Sequence, residues 1–218
     1  MSKDNPFWDK LAERYAKQPI ANLASYERKL EVTKARLSPT DVILDIGCGT
    51  GSLALELAPH VAEVHALDFS GEMIRIGKSK ARDQNVTNVT FHQTTLEATD
   101  GFQTAQFDGI CAYNILHLVE DRGDTLQRIF TYLKPGGFFV SSTACLGESF
   151  VPYTPILAVM RWLGKAPRVQ IFRVESLLRD IRETGFVDIS TPDVAAKKMV
   201  AFVTATKPHE QRSPPHPL

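Results

Sequence analysis

The chain has 218 residues and equal numbers of basic and acidic residues, so its formal net charge at pH 7 is zero. Because nucleic-acid enzymes usually carry a basic face, this balance disfavours a nucleic-acid substrate. Hydrophobic residues make up 43% and charged residues 23%, as in globular proteins, and no apolar run reaches the about 18 residues of a membrane span. We therefore expect one domain with a sizeable core, at residues 1–207.

The three cysteines, Cys48, Cys111 and Cys145, are odd in number and widely spaced, which favours a reducing cytoplasm over a disulfide framework. The N-terminus lacks the apolar core of a signal peptide, so we expect a cytoplasmic protein. No C-x-x-C or H-x-x-x-H spacing indicates a metal site. The proline-rich tail, residues 208–218, is predicted to be disordered.

Two helices are predicted within residues 1–40, ahead of the first strand. The first begins at Asn5-Pro6, where a capping side chain precedes a proline, and it ends at Pro19. The second is predicted from Leu23 to Leu37, with leucines and a tyrosine on one face.

A glycine-rich turn follows the first predicted strand. Val42 to Ile46 is apolar and β-branched apart from Asp45, and a helix is predicted from Ser52 to about His60. Ligands of open α/β sheets bind beyond the carboxyl ends of the strands, where glycines let the backbone approach them. The three glycines of this turn are Gly47, Gly49 and Gly51.

A second acid, Asp68, ends the next predicted strand, Val64 to Asp68. An acid at this position can accept both hydroxyls of a ribose. The third glycine comes one residue earlier than in the G-x-G-x-x-G/A fingerprint of dinucleotide enzymes, so an NAD-dependent oxidoreductase is disfavoured. Asp45 suits a cofactor with an ammonium group, which negative charge must meet.

The rest of the chain continues to alternate between strands and helices, which predicts a parallel sheet with right-handed crossovers. The further predicted strands are 89–93, 107–112, 137–143, 188–194 and 198–206. The further predicted helices are 70–83, a helix from Asp121 or Asp124 to Leu133, a helix that starts at Thr154-Pro155 and continues through 156–163 to end at Gly164, and 174–184.

Four motifs carry a resemblance to a known family: LDIGCGTG (44–51), LDFSGEMI (67–74), FDGICAYNILHLVED (107–121) and YLKPGGFF (132–139). With them the chain resembles the class I S-adenosylmethionine-dependent methyltransferases. Among these it is similar to the small enzymes of the ubiquinone/menaquinone-biosynthesis type, also called methyltransferase type 11. The resemblance implies a Rossmann-like α/β fold, a doubly wound, mostly parallel sheet of seven strands whose last strand is antiparallel.

The resemblance also implies S-adenosyl-L-methionine as the cofactor and assigns most of its contacts. The glycines and Asp45 are expected at the methionine end, with Asp68 at the ribose. Phe69 is expected either against the adenine or in the core. Further cofactor contacts are expected from Tyr15, Thr95, Leu96 and Asn114. The family often has an acid for the adenine amino group, whereas here Thr95 or a backbone carbonyl is expected to replace it.

A catalytic triad is absent from the sequence, and direct methyl transfer does not need one, since the methyl group is activated by the cofactor. His117 follows the fourth strand near Asn114 and is the one candidate catalytic residue. It is interpreted either as a base or substrate contact, or as a structural histidine.

The segment Ala144 to Arg173 is long for a connection in a compact domain, and it is predicted to be a substrate lid. It is strongly apolar, and between Glu148 and Glu175 its only charged residues are basic. This composition suits an apolar acceptor that bears an anionic group. The alternatives are a helix buried against the N-terminal helices, a dimer surface and a shallow membrane contact.

The sequence thus favours methyl transfer to a small molecule by a monomer or homodimer, without nucleic acid as substrate. Two alternatives remain open at this point: a nucleic-acid or protein methyltransferase, and a non-catalytic subunit that binds S-adenosylmethionine. The N/D-P-P-Y/F/W motif of nucleic-acid amino-methylating enzymes is replaced by Asn114-Ile115-Leu116-His117, which argues against that one subclass.

Overall fold

The structure is a computed structural model that describes residues 5–99 and 101–209. These residues form seven helices and seven strands. The helices are α1 (Asn5–Lys17), α2 (Leu23–Lys34), α3 (Ser52–Leu57), α4 (Gly71–Asp83), α5 (Arg122–Tyr132), α6 (Tyr153–Trp162) and α7 (Val174–Glu183). The strands are β1 (Val42–Ile46), β2 (Glu63–Asp68), β3 (Val89–Gln93), β4 (Phe107–Tyr113), β5 (Leu133–Ala144), β6 (Val187–Ser190) and β7 (Val200–Thr206). Short 3-10 turns follow α3 (Ala58–His60) and β5 (Leu146–Glu148).

The seven strands form one sheet in the order β3-β2-β1-β4-β5-β7-β6. The first five strands are parallel, and β7 pairs antiparallel with both β5 and β6. Helices cover both faces, as right-handed crossovers between parallel strands require. The predicted doubly wound, mostly parallel fold is confirmed.

Each face of the sheet has its own hydrophobic core. One core includes Leu126 of α5 and Leu177 of α7, and the other includes Leu30 of α2, Leu55 of α3 and Ile74 of α4. The central strands are buried on both sides, which explains their continuous apolar sequences.

The strand order reverses at β1, which pairs with β2 on one side and with β4 on the other. A crevice opens beyond the carboxyl ends of strands at such a point, and there an α/β sheet binds its ligands. The glycine turn after β1, Asp68 at the end of β2 and Asn114 after β4 all lie at this edge.

Several boundaries differ from the prediction. The strand expected from Gly137 already begins at Leu133, because Leu133 pairs with Phe107 ahead of a register shift between Phe107 and Gly109. Likewise α2 ends at Lys34 rather than Leu37, and β6 is limited to Val187–Ser190. The predicted starts of the helices agree with the structure better than these ends do. For example, Asp121 caps α5 by accepting a hydrogen bond from the Asp124 amide.

In the described part of the chain, none of the helices is long and apolar enough to cross a bilayer. The same residues contain no group of three or more His, Cys, Asp or Glu placed to hold a metal ion, and their three cysteines are free. Most of the tail that we predicted to be disordered, residues 210–218, lies outside the described residues.

Candidate cofactor and acceptor site

The glycine turn after β1 takes a conformation that side chains disfavour. Gly47 and Gly49 have φ angles of 65° and 53°, in the left-handed region. A Cβ on Gly47 would lie 2.7 Å from Cδ1 of Ile115, whereas one on Gly49 would meet only the Tyr15 ring, at 3.8 Å. The backbone at Gly49 is therefore open to a ligand on the side of Tyr15.

Asp68 organises this turn from the end of the neighbouring strand. Its Oδ2 accepts a hydrogen bond from the Gly49 amide at 3.0 Å, and its Oδ1 accepts one from the Ser70 amide at 2.9 Å. Burial raises the pKa of this carboxyl, and the two amides oppose that shift. Because a carboxylate has about four acceptor positions, lone pairs remain for two ribose hydroxyls.

Asp45 lies behind the turn rather than in its open face. Its side chain is 1% exposed, and its Oδ2 has no hydrogen-bond partner among the described residues. Burial and, secondarily, the nearby Asp68 raise the pKa of Asp45 to about 8, against a smaller opposing effect of the Ala54 amide. Asp45 is therefore mostly protonated at neutral pH when the site holds no cation.

Two cavities meet in front of the turn and form one cleft. Their volumes are about 260 and 390 Å³. Seven residues line both: Trp8, Gly47, Asp68, Phe69, Ile115, Leu118 and Pro167. The smaller cavity extends to Thr95, Leu96 and Glu97, and the larger one to Tyr15, Gly49, Tyr113, Asn114, His117, Ala144 and Val169.

The cleft brings together nine of the eleven residues that the sequence singled out. These are Tyr15, Gly47, Gly49, Asp68, Phe69, Thr95, Leu96, Asn114 and His117. Asp45 and Gly51 lie outside the lining of both cavities. A Cβ on Gly51 would lie 2.8 Å from Cε1 of Phe91, so this glycine allows the start of α3 to pack closely against β3.

Sequence reasoning missed several residues of the cleft. Trp8 and Pro167 line both cavities although neither lies at the end of a strand. A signal existed for Trp8, since it precedes Tyr15 by two helical turns and therefore shares its face of α1. Glu97, the acid of the loop after β3, was not predicted as a site residue either. It lines the smaller cavity while its Oε1 accepts a hydrogen bond from Thr125 Oγ1 at 2.9 Å.

His117 is a half-buried imidazole in the wall of the larger cavity. Its Nδ1 is buried and has no hydrogen-bond partner among the described residues. Burial lowers the pKa of His117 to about 4, so the ring is neutral at physiological pH. A neutral imidazole can accept a hydrogen bond or a proton.

The strap, defined here as residues 164–173, crosses the loop that follows β4. The Gln170 amide donates to the His117 carbonyl at 2.8 Å. Its side-chain Nε2 donates to the carbonyls of Val119 and Glu120 at 2.7 and 3.0 Å. These bonds hold Pro167 and Val169 in the cavity wall.

The helix α6, which precedes the strap, contains no buried residue. Trp162 is 83% exposed, and Phe150 just before the helix is fully exposed. The interpretation of this segment as a helix buried against the N-terminal helices is therefore wrong.

The sequence of the chain is similar to those of known methyltransferases. Residues 43–137 match the family model described as a methyltransferase domain. A ubiquinone biosynthesis O-methyltransferase of Acinetobacter baumannii is 29% identical over 147 residues, covering 66% of this chain and 62% of the relative. A ubiquinone/menaquinone biosynthesis C-methyltransferase of Geotalea daltonii is 35% identical over 114 residues, covering 50% and 48%. Residues 43–137 thus match a methyltransferase domain, and these relatives confirm the predicted resemblance to the class I S-adenosylmethionine-dependent methyltransferases.

The fold comparison agrees with this assignment. A phosphoethanolamine N-methyltransferase of Haemonchus contortus, solved with phosphomonomethylethanolamine and S-adenosylhomocysteine, superposes with a TM-score of 0.71 at 18% identity. The superposition covers 84% of this chain and 53% of that one. S-adenosyl-L-methionine is the cofactor that the resemblance implies for such a domain. The cleft fits it, because Asp68 has free acceptor positions and Gly49 leaves an open approach beside Tyr15.

Proposed function

We propose that this methyltransferase transfers the methyl group of S-adenosylmethionine to a small, largely apolar acceptor held beside His117. The observation that carries the proposal is the larger cavity, which extends from Asp68 to His117, an imidazole whose buried Nδ1 has no hydrogen-bond partner among the described residues. Apart from these groups and Asn114, its wall is mainly aromatic and aliphatic, with Leu118 and Val169 among its members. Such a wall suits an apolar molecule with one polar reacting group.

Different residues of the cleft are suited to different parts of the cofactor. Asp68 is suited to the ribose hydroxyls, the amides near Gly49 to the methionine end, and Phe69 with Leu96 to the adenine. When bound, S-adenosylmethionine supplies a methyl group that its sulfonium has already activated. The protein then has to orient the acceptor and exclude water. Orientation of this kind can be worth an effective molarity on the order of 10⁵ M or more.

His117 suits an acceptor that carries a proton, such as a phenol or another hydroxyl. Its neutral ring can accept a hydrogen bond from that hydroxyl and so aim an oxygen lone pair into the cleft. When the hydroxyl oxygen takes the methyl group and the sulfur keeps the electron pair of the broken sulfur–methyl bond as a neutral thioether, the imidazole would take the hydroxyl proton. General-base assistance of this type contributes about 10²- to 10⁴-fold in rate.

The names of the relatives support a small organic acceptor, since both are methyltransferases of quinone biosynthesis. The chain covers 62% and 48% of their lengths, so the relatives support the class of acceptor rather than its identity. Trp8 and Pro167, which line both cavities, favour a molecule small enough to enter beneath them.

The test measures methyl transfer from labelled S-adenosylmethionine to a panel of apolar phenols, carboxylates, amines and thiols, with RNA and protein acceptors alongside. We expect transfer to an apolar hydroxyl compound. His117→Ala should lower kcat by about 10²- to 10⁴-fold without changing the affinity for S-adenosylhomocysteine. His60→Ala, which changes an exposed histidine after α3, is the matched control and should behave like the parent.

Two results would count against the proposal. Methylation of RNA or protein with none of the small acceptors would overturn the acceptor class. A His117→Ala enzyme with parental kcat on an active acceptor would remove the histidine from the chemistry.

A further inference from the structure

The helix α6 presents apolar side chains to solvent along most of its surface. Eight of its ten residues are exposed, and Tyr153 and Leu157 are half-buried. The large exposed apolar side chains in and beside the helix are Phe150, Val151, Ile156, Val159, Met160, Trp162 and Leu163. Four of them are spaced i, i+3, i+4 and i+7 from Ile156, so they form one continuous stripe. A contiguous apolar surface of this kind marks a site of interaction.

The chain segment that carries this stripe has only positive charges, one of which, Arg168, lies 3.9 Å from the carboxylate of Glu120. From residue 149 to residue 174 the chain has Arg161, Lys165, Arg168 and Arg173 and no acidic residue. The chain as a whole has a net charge of zero, so the positive charge is concentrated locally.

A basic groove lies at the carboxyl end of α6, where the start of the strap meets α1. Lys10, Arg14 and Lys165 line it, together with Pro6, Phe7 and Leu11. None of these lining residues is acidic, so the groove adds to the positive charge beside the stripe. We call the exposed side of α6 and this groove together the docking face.

We propose that the docking face binds the surface of an anionic lipid bilayer, with α6 lying flat in the headgroup region. A helix with large apolar residues, a tryptophan and flanking basic residues has the composition of an interfacial helix. The apolar stripe would enter the acyl boundary while Lys10, Arg14, Arg161 and Lys165 meet lipid phosphates.

Charge complementarity favours a membrane over the other possible occupants. Pairing with a second copy across this face would bring its basic residues together, and like charges that meet at an interface are unfavourable. Closure over the cleft would need α6 side chains in the cavity wall, but it is Pro167 and Val169 of the strap that line it. An anionic bilayer offers acyl chains to the apolar stripe and phosphates to the basic residues of the docking face.

The location of the docking face connects it with the cleft. The strap continues directly from α6 into the wall of the larger cavity. Docking would hold the cleft close to the membrane surface, where apolar acceptors concentrate. The docking itself does not depend on methyl transfer.

The test is cosedimentation of the full chain with vesicles of phosphatidylcholine, with and without phosphatidylglycerol, in the absence of cofactor and acceptor. We expect partitioning into the anionic vesicles that weakens with salt. Arg161→Gln/Lys165→Gln should weaken it about thirtyfold, because each basic residue near the surface contributes about fivefold. Phe150→Ala/Trp162→Ala should also weaken binding, and both pairs change exposed residues, so the fold should persist.

Two matched control variants remove an exposed apolar and an exposed basic side chain outside the docking face. Leu23→Ala removes an exposed leucine from α2, and Lys78→Gln removes an exposed lysine from α4. Both should bind vesicles like the parent. In addition, the tryptophan emission of the parent should shift to the blue with anionic vesicles, and Trp162→Phe should abolish that shift.

Three outcomes would overturn the proposal. The first is equal or absent binding to both vesicle types. The second is binding that the α6 variants and the controls change alike. The third is a dimer in lipid-free solution, measured by light scattering, that Phe150→Ala/Trp162→Ala converts to monomer, since the face would then be a self-interface. Because no acceptor is present, failure of the proposed methyl transfer would leave these results unaffected.

Discussion

Asp45 is a buried acid whose charge depends on what occupies the cleft. Its pKa of about 8 reflects burial and the neighbouring charge of Asp68. A cation bound in front of the glycine turn would stabilise the ionised form and so lower that pKa. We therefore expect the binding of a positively charged cofactor to be coupled to release of a proton from Asp45.

We predict that S-adenosylmethionine binds more tightly as the pH rises from 6 toward the pKa of about 8 and that its affinity then levels off. Calorimetry in buffers with different ionisation enthalpies should report proton release at neutral pH. Asp45→Asn should abolish this release. Enthalpies that do not depend on the buffer would show that Asp45 has the same charge in both states.

His117 is a second buried titratable group, and its pKa is lowered, whereas that of Asp45 is raised. Its folded pKa of about 4 lies below the ordinary value of 6.5, so between these values the unfolded chain binds more protons than the native one. The free energy of unfolding contributed by His117 therefore falls as the pH drops from 6.5 to 4, by roughly 3 kcal/mol at most. Urea denaturation of His117→Gln should show a smaller loss across this window than the parent. The exposed His60→Gln control should match the parent, and an identical slope for His117→Gln would contradict the buried neutral state.

Residues at strand ends could be predicted from the sequence, whereas residues from remote segments could not. Asp68 and Asn114 were found because the carboxyl ends of parallel strands share one edge. Trp8 and Pro167 reach the same cleft from α1 and the strap, and only tertiary packing brings them there. The sequence predicted Asp45 beside the turn. Successive side chains of a strand point to opposite faces of the sheet, and that of Asp45 points into the core.

At the scale of elements, the strap is fixed to the loop after β4 mainly through Gln170. Its side chain donates two hydrogen bonds to the carbonyls of Val119 and Glu120, and removing it leaves both acceptors to water. The strap is predicted to act as the part of the lid that shapes the acceptor cavity.

We predict that Gln170→Ala raises the KM for the acceptor about tenfold, since the two lost bonds contribute about 0.5–1.5 kcal/mol each. The effect on the affinity for S-adenosylhomocysteine should be smaller. Gln127→Ala, on the exposed side of α5, is the matched control. An unchanged KM would mean that the strap keeps its position without Gln170, and its role in acceptor binding would then lack support.

The types of the elements could be predicted better than their limits. The glycine turn, the Ser70 cap and the Asp121 cap carry local chemistry, and the corresponding helix starts agree with the structure. The start of β5 at Leu133 depends on its pairing with Phe107, which local sequence does not encode. For α6 the sequence predicted a helix but could not show that its apolar side chains remain in solvent.

At the scale of the molecule, one sheet with a core on each face holds every part of the cleft. Alternating strand and helix patterns indicated the parallel sheet, and the resemblance implied seven strands with an antiparallel end. The reversal at β1 brings the turn, Asp68 and the β4 loop together. We propose that in this arrangement Asp68 binds the ribose of S-adenosylmethionine at the switch point.

Calorimetric titration of S-adenosylhomocysteine into the parent, Asp68→Asn and Asp83→Asn tests this contact, because it measures the affinity of each protein for the ligand. Asparagine keeps one oxygen for the Gly49 amide but loses the acceptor for the Ser70 amide, so thermal unfolding should first show that the variant is folded; the ligand then loses a charge-assisted bond of about 1.5–3 kcal/mol. We predict affinity about ten- to a hundredfold weaker for Asp68→Asn, parental affinity for the exposed Asp83→Asn control, and no binding of NAD to any of the three proteins. Parental affinity of Asp68→Asn, or binding of NAD without S-adenosylhomocysteine, would contradict the account.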